Sequence, residues 1–173
     1  MIGLTTLLQN VINFANTVSD SERTTIDDDI FKVRLEIQKA KRTDNTSGNK
    51  NLFYKHGRDG KREHHIKSIL ENLTQKKWIS IRPKWLKNPY TKRNLEIDCY
   101  CEQLNIAVEI DGEQHHHYVP WFHKTFQNYL KQKENDLIKA KLLRERGVRL
   151  IRIPYDVPYN KLEEYIITQL FIS

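Results

Sequence analysis

The chain has 173 residues, and 29 Lys+Arg against 22 Asp+Glu give it a formal net charge of +7. That length allows one domain with a sizeable core plus an appendage. No run of residues approaches a membrane span, and the N-terminus lacks the basic start and cleavage site of a signal peptide, so an intracellular protein, cytoplasmic or nuclear, is expected. The basic excess makes a polyanionic partner plausible, and 16 of the 29 basic residues fall between Lys39 and Arg93.

In chain order, residues 4–16 carry Leu4, Leu7, Leu8, Val11, Ile12 and Ala15 at the spacing of an amphipathic helix. After a polar break over residues 17–23, Thr25 is expected to open a second helix reaching about Arg42. Asp27, Asp28 and Asp29 would occupy its first turn, where the helix dipole favours anions. Residues 43–60 are rich in Asn, Ser, Gly, Lys and Arg and read as a mobile linker or a loop that contacts nucleic acid. Residues 1–60 then form a helical extension with a basic linker, and residues 61–173 the core.

The core opens with a helix from Lys61, its Ile66, Ile69, Leu70 and Leu73 forming an apolar stripe with Glu63 on or beside it. A strand over residues 78–82 leads into a basic, proline-containing turn over residues 83–90. Residues 95–115 read as two short strands joined at Gln103, Leu104 and Asn105. A long helix over residues 126–146 stops at Gly147, a good residue for ending a helix. A strand over residues 148–153 is closed by Pro154, and a last helix covers residues 160–170. The order α-β-β-β-α-β-α implies a mixed α/β core, a sheet with helices on it. Cys99 and Cys101 share a strand face at roughly 6–7 Å, too far for easy bridging, and are expected to be reduced.

The strand pair over residues 95–115 holds the chemistry. Asp98 lies on its first strand, Glu109 and Asp111 on the second, and His115 just past Gly112. Alternation along a strand puts Glu109 and Asp111 on one side, with Ile110 pointing the other way. Ile106, Val108 and Ile110 fit a buried face. Acids set among such residues need compensation for burial, and a divalent cation supplies it. This block, followed by the Arg149-to-Tyr155 stretch, resembles the PD-(D/E)XK, or restriction-endonuclease-like, nuclease superfamily. The similar branch lies near the very-short-patch repair endonucleases and the homing endonucleases with an E-D-x-H-D signature. The matching stretches are residues 96–100, 107–115, 135–143 and 147–155, and the likeness covers roughly residues 61–170.

The resemblance implies a restriction-endonuclease-like core and a Mg²⁺- or Mn²⁺-dependent endonuclease acting on duplex DNA, branched or mismatched DNA included; a homodimer is compatible with it. Asp98 and Glu109 become the metal-binding acids, with Glu63 joining through water. The lysine that follows the glutamate by two positions in the family pattern is here Asp111, which stands as a candidate catalytic residue beside Asp98 and Glu109. The E-D-x-H-D signature would be filled by Glu63, Asp98, His115 and Asp136, with His115 as general base or transition-state support. Lys139 or Lys141 could replace the missing lysine, or Arg149 or Arg152 from the neighbouring strand. Lys84, Lys87, Lys92 and Arg93 add to these as nucleic-acid-binding residues. Plainer readings stand beside these roles. Asp98 and Glu109 could be exposed strand acids, Asp111 a turn residue, Glu63 a first-turn helix acid, and Asp136 a partner of Lys133 or Lys139 along its helix. The competing functions are a nucleic-acid-binding module of the same fold without catalysis, and a nuclease directed at RNA.

Overall fold

The computed structural model describes residues 20–43, 59–112 and 125–171. The expected helix over residues 4–16, most of the basic linker and His115 lie outside them. Helix α1 spans Asp20–Thr43, α2 Asp59–Thr74, β1 Ile79–Ile81, β2 Ile97–Cys101, β3 Ile106–Ile110, α3 Phe126–Glu145 and β4 Arg149–Ile153. A 3₁₀ turn at Tyr159–Lys161 then leads into α4, Leu162–Phe171. From α2 onward the order is α-β-β-β-α-β-α, as expected. Helix α1 begins at Asp20 rather than Thr25, so Asp27, Asp28 and Asp29 sit beyond its first turn. Residues 20–25 contain neither Gly nor Pro to stop the helix from extending back.

The sheet runs β1-β2-β3-β4. β1 and β2 pair antiparallel, as do β2 and β3, whereas β3 and β4 are parallel. A parallel pair needs a crossover, and α3 supplies it. The β2–β3 hairpin closes at Asn105, whose φ of 54° is a left-handed conformation that Asn tolerates. The Asn105 side chain donates to the Gly147 carbonyl at 2.7 Å, which ties the hairpin to the α3–β4 junction.

Two apolar clusters sandwich the sheet. On one face Ile66, Ile69 and Leu70 of α2 and Leu162, Ile166 and Leu170 of α4 cover Cys99, Cys101, Ile106, Val108, Ile151 and Ile153. On the other face Ile138 and Leu143 of α3 pack with Ala107, Ile97 and Val148, and Ile30 of α1 joins them. Ile37 of α1 packs with Tyr129 and Leu130 of α3. Helix α1 thus shares its core with the sheet domain. Both cysteines are free and buried.

Trp78, fully buried, ends the α2–β1 connection. Its indole N–H donates to the Thr74 hydroxyl at 3.0 Å, and that hydroxyl donates to the Leu70 carbonyl. Helix α3 starts at Thr125, whose side chain accepts from the Asn128 N–H. It ends at Gly147, with φ 70°. There Gly147 N–H bonds the Arg144 carbonyl and Val148 N–H the Leu143 carbonyl, both at 2.9 Å. This is the paired closure that a glycine in the left-handed region permits, and buried Val148 meets Leu143 beneath it. No described helix is long and apolar enough to cross a membrane.

Candidate functional site

The β2–β3 register pairs Cys99 with Val108 and Tyr100 with Ala107. Continued by one step, it sets Asp98 opposite Glu109, and cross-strand neighbours project from the same face. The placement is fixed further by the Asp98 carboxylate, which accepts from the Ile110 N–H at 2.9 Å. Ala107, two residues before Glu109, belongs to the cluster under α3, so Glu109 rises on the α3 side. There Lys139 of α3 donates to Glu109 Oε2 and forms an ion pair with it. Both residues are buried, Glu109 at 7% exposure and Lys139 at 9%.

Glu109 Oε1 is buried and has no hydrogen-bond partner among the described residues. An unsatisfied buried carboxylate oxygen is costly. Burial pushes the Glu109 carboxyl up to about 7; Lys139 pulls it back, and the charge of Asp98 pushes it up again. Glu63 of α2, half-buried, is also raised, first by burial and then by Asp98 and Glu96. The Cys99 thiol is driven to about 12, chiefly by burial and then by the charges of Asp98 and Glu63. The charge of Asp98 therefore acts on both Glu63 and Glu109, with Lys67 the cation that lowers Glu63 and Lys139 the cation bonded to Glu109.

Asp111, 8% exposed, lies just past β3. Its N–H continues the ladder by bonding the Ile153 carbonyl at 3.0 Å, and its side chain accepts from Arg152 at 3.2 Å. Asp136 is half-buried on α3, three residues before Lys139. His115 lies outside the described residues.

The eight candidate nucleic-acid contacts divide in two. Lys139 is bonded to Glu109, and Arg152 to Asp111. Lys141 bonds Asp27 of α1 and lies 3.8 Å from Glu145. Arg149 is buried and donates to the Leu170 and Gln169 carbonyls, closing the end of α4; burial lowers its pKa. Lys84, Lys87, Lys92 and Arg93 are exposed.

Sequence reasoning missed Asn88, Asn135 and the Arg34–Glu134 pair. Asn88 is fully buried, and its side chain donates to the Asn135 side chain at 2.7 Å. Its position before Pro89 was the available signal, because Asn-Pro starts turns.

Among the described residues no group of three or more His, Cys, Asp and Glu is arranged to hold a metal ion. Two carboxylates side by side, one with a bare buried oxygen, still offer a hard, all-oxygen donor set. That suits Mg²⁺, which keeps several waters and takes one or two protein carboxylates.

The chain is 41% identical over 93 residues to uncharacterized protein 307L of Invertebrate iridescent virus 6, covering 47% of each chain. It is 30% identical over 112 residues to uncharacterized protein 033L of Invertebrate iridescent virus 3, covering 65% of this chain and 58% of the relative. It is also 41% identical over 95 residues to uncharacterized protein 094L of Frog virus 3 (isolate Goorha), covering 54% and 60%. The matches thus span about half to three fifths of the length of these curated relatives. No family model matches the chain, and no solved structure matches it.

Proposed function

We propose that the chain is a metal-dependent endonuclease of the restriction-endonuclease-like type that hydrolyses phosphodiester bonds in DNA. One observation carries the reading: Asp98 and Glu109 face each other across β2 and β3, while Lys139 holds one Glu109 oxygen and leaves the other bare. The element order and the four-stranded mixed sheet support it.

In this reading Asp98 and Glu109 hold Mg²⁺ or Mn²⁺. Bound there, the ion supplies charge neutralisation at the phosphate and a more acidic water. Lys139 fixes the Glu109 carboxylate and sets a cation in the hydrolytic centre. It thereby takes over from the family's motif lysine, whose position here is occupied by Asp111. Arg152 keeps Asp111 charge-balanced beside that centre. Glu63 adds a third carboxyl on which the charge of Asp98 acts.

The experiment is a cleavage screen over linear, mismatched and branched DNA, single strands and matched RNA, with Mg²⁺ and Mn²⁺. Cleavage abolished by Asp98→Ala and by Glu109→Ala is the expected result. A protein that cuts none of these substrates with either metal would overturn the reading. A second reading, a nucleic-acid-binding module without turnover, draws on Asp111 in the lysine's position. It requires duplex binding that survives Asp98→Ala, with no cleavage to lose.

A further inference from the structure

Residues 83–94, between β1 and β2, carry four exposed cations within ten positions: Lys84, Lys87, Lys92 and Arg93. None of their side chains forms a hydrogen bond or ion pair with a described residue, whereas Lys139, Lys141, Arg149 and Arg152 are all engaged internally. Four like charges left unbalanced so close together repel one another, which an anionic partner would relieve.

The backbone beneath them is built to hold one shape. The Asn88 carboxamide oxygen accepts from the Tyr90 N–H at 2.8 Å and the Thr91 N–H at 3.0 Å. Its backbone N–H bonds the Arg93 carbonyl, and its carbonyl accepts from the Lys92 N–H, both at 2.9 Å. Lys87 bridges Asn94, and the Leu95 N–H bonds the Leu86 carbonyl at 2.7 Å above two buried leucines. Two further links fasten the loop to consecutive residues of α3. Asn88 donates to Asn135. The Arg34 guanidinium lies 3.3 Å from the Tyr90 ring centre and also pairs with Glu134 at 2.6 Å. Asn135 stands one helical turn before Lys139, on the same side of α3. The fastened loop therefore adjoins the Glu109–Lys139 centre.

We infer that residues 83–94 are a preformed clamp for the sugar-phosphate backbone of a nucleic-acid duplex, gripping through Lys84, Lys87, Lys92 and Arg93. Asn88, Asn135 and Arg34 are its positioning residues. The proposal deepens the phosphodiester-hydrolase reading and rests on it for the choice of a nucleic acid over an acidic protein. Because the loop is already ordered, binding loses little backbone entropy there. Each phosphate neutralised on duplex DNA contributes about 0.9 to the slope of log affinity against log salt, so four contacts contribute roughly 3.6.

The test is fluorescence anisotropy of the full chain with a labelled 20-base-pair DNA duplex, without divalent metal, from 50 to 200 mM KCl. Matched duplex RNA and polyglutamate serve as parallel probes. Replacing all four loop cations with alanine is expected to flatten the slope by roughly 3 to 4. The wild type then loses about 100-fold more affinity than the variant across that salt range. A control with four alanines at exposed Lys39, Lys41, Lys77 and Lys161 removes the same net charge and should change the slope by less than 1.

Equal slopes for loop and control variants overturn the clamp, as does wild-type binding to polyglutamate but to neither duplex. RNA bound in place of DNA keeps the clamp and changes its substrate. Asn135→Ala is expected to weaken duplex binding about 3- to 10-fold at every salt concentration with an unchanged slope; undiminished affinity removes the positioning roles. Since no cleavage is read, absent nuclease activity leaves this result standing, and an unchanged slope leaves the hydrolytic centre standing.

Discussion

The Glu109 carboxyl offers a sharp test of the site, read through stability rather than turnover. In the unfolded chain its pKa is near 4.5, and in the fold burial raises it to about 7 despite Lys139. The folded protein therefore keeps a proton that the unfolded chain gives up, and stability falls as pH rises through that window. That difference in pKa is worth roughly 3 kcal/mol, most of it lost between pH 5 and pH 8. Glu109→Gln stays neutral throughout and should lack this loss. Urea unfolding of both proteins at pH 5, 6, 7 and 8 in EDTA, compared pairwise so that other titrating groups cancel, measures it. The wild type should weaken relative to the variant by about 2 to 3 kcal/mol across the series. Added Mg²⁺ should recover much of that loss at pH 8 in the wild type and little in Glu109→Gln, because the ion favours the ionised carboxylate. Parallel stability curves in EDTA would refute the account of a strained, desolvated carboxyl. Equal Mg²⁺ responses in the two proteins would refute the assignment of Glu109 as a ligand.

Lys139→Met should cost about 3–5 kcal/mol by leaving a buried carboxylate without its cation, measurable by urea unfolding at pH 8, and the deficit should shrink at pH 5. Leu70→Ala, at a site with no exposure between α2 and the sheet, should cost about 2–5 kcal/mol in the same measurement. Arg34→Ala should lower stability by about 1–3 kcal/mol, because Glu134 is left buried and unpaired beside α1. Asn105→Ala, which loses both the bond to Gly147 and a residue tolerant of φ 54°, should lower the melting temperature by several degrees.

Wherever a short-range period decides the outcome, the elements are legible in the sequence. Ile106 and Val108 alternate onto one face with Glu109 on the other, and Gly147 marks the end of α3 because only a residue at ease with positive φ closes it that way. Choices that depend on distant packing are not. Lys139 and Lys141 were equal candidates for the motif lysine, yet two residues on a helix are about 200° apart and must meet different neighbours. One turns to Glu109 and the other to Asp27. Arg149 and Arg152, three apart on β4, leave by opposite faces for the same reason, one to the carbonyls of α4 and one to Asp111. The Asn88–Asn135 link joins residues 47 apart, and Arg34–Glu134 residues 100 apart. No local pattern announces such pairs.

The parallel pairing of β3 with β4 has a kinetic consequence. A hairpin of β2 and β3 can bring Asp98 and Glu109 together early, since both belong to one local unit. The ammonium that offsets them arrives 30 residues after Glu109, on a crossover that must swing over the sheet before its final strand can dock. Non-local closures of this kind form slowly. A hairpin of β2 and β3 on its own would set Asp98 and Glu109 side by side with no cation between them; only the docked α3 crossover brings the Lys139 ammonium to that pair.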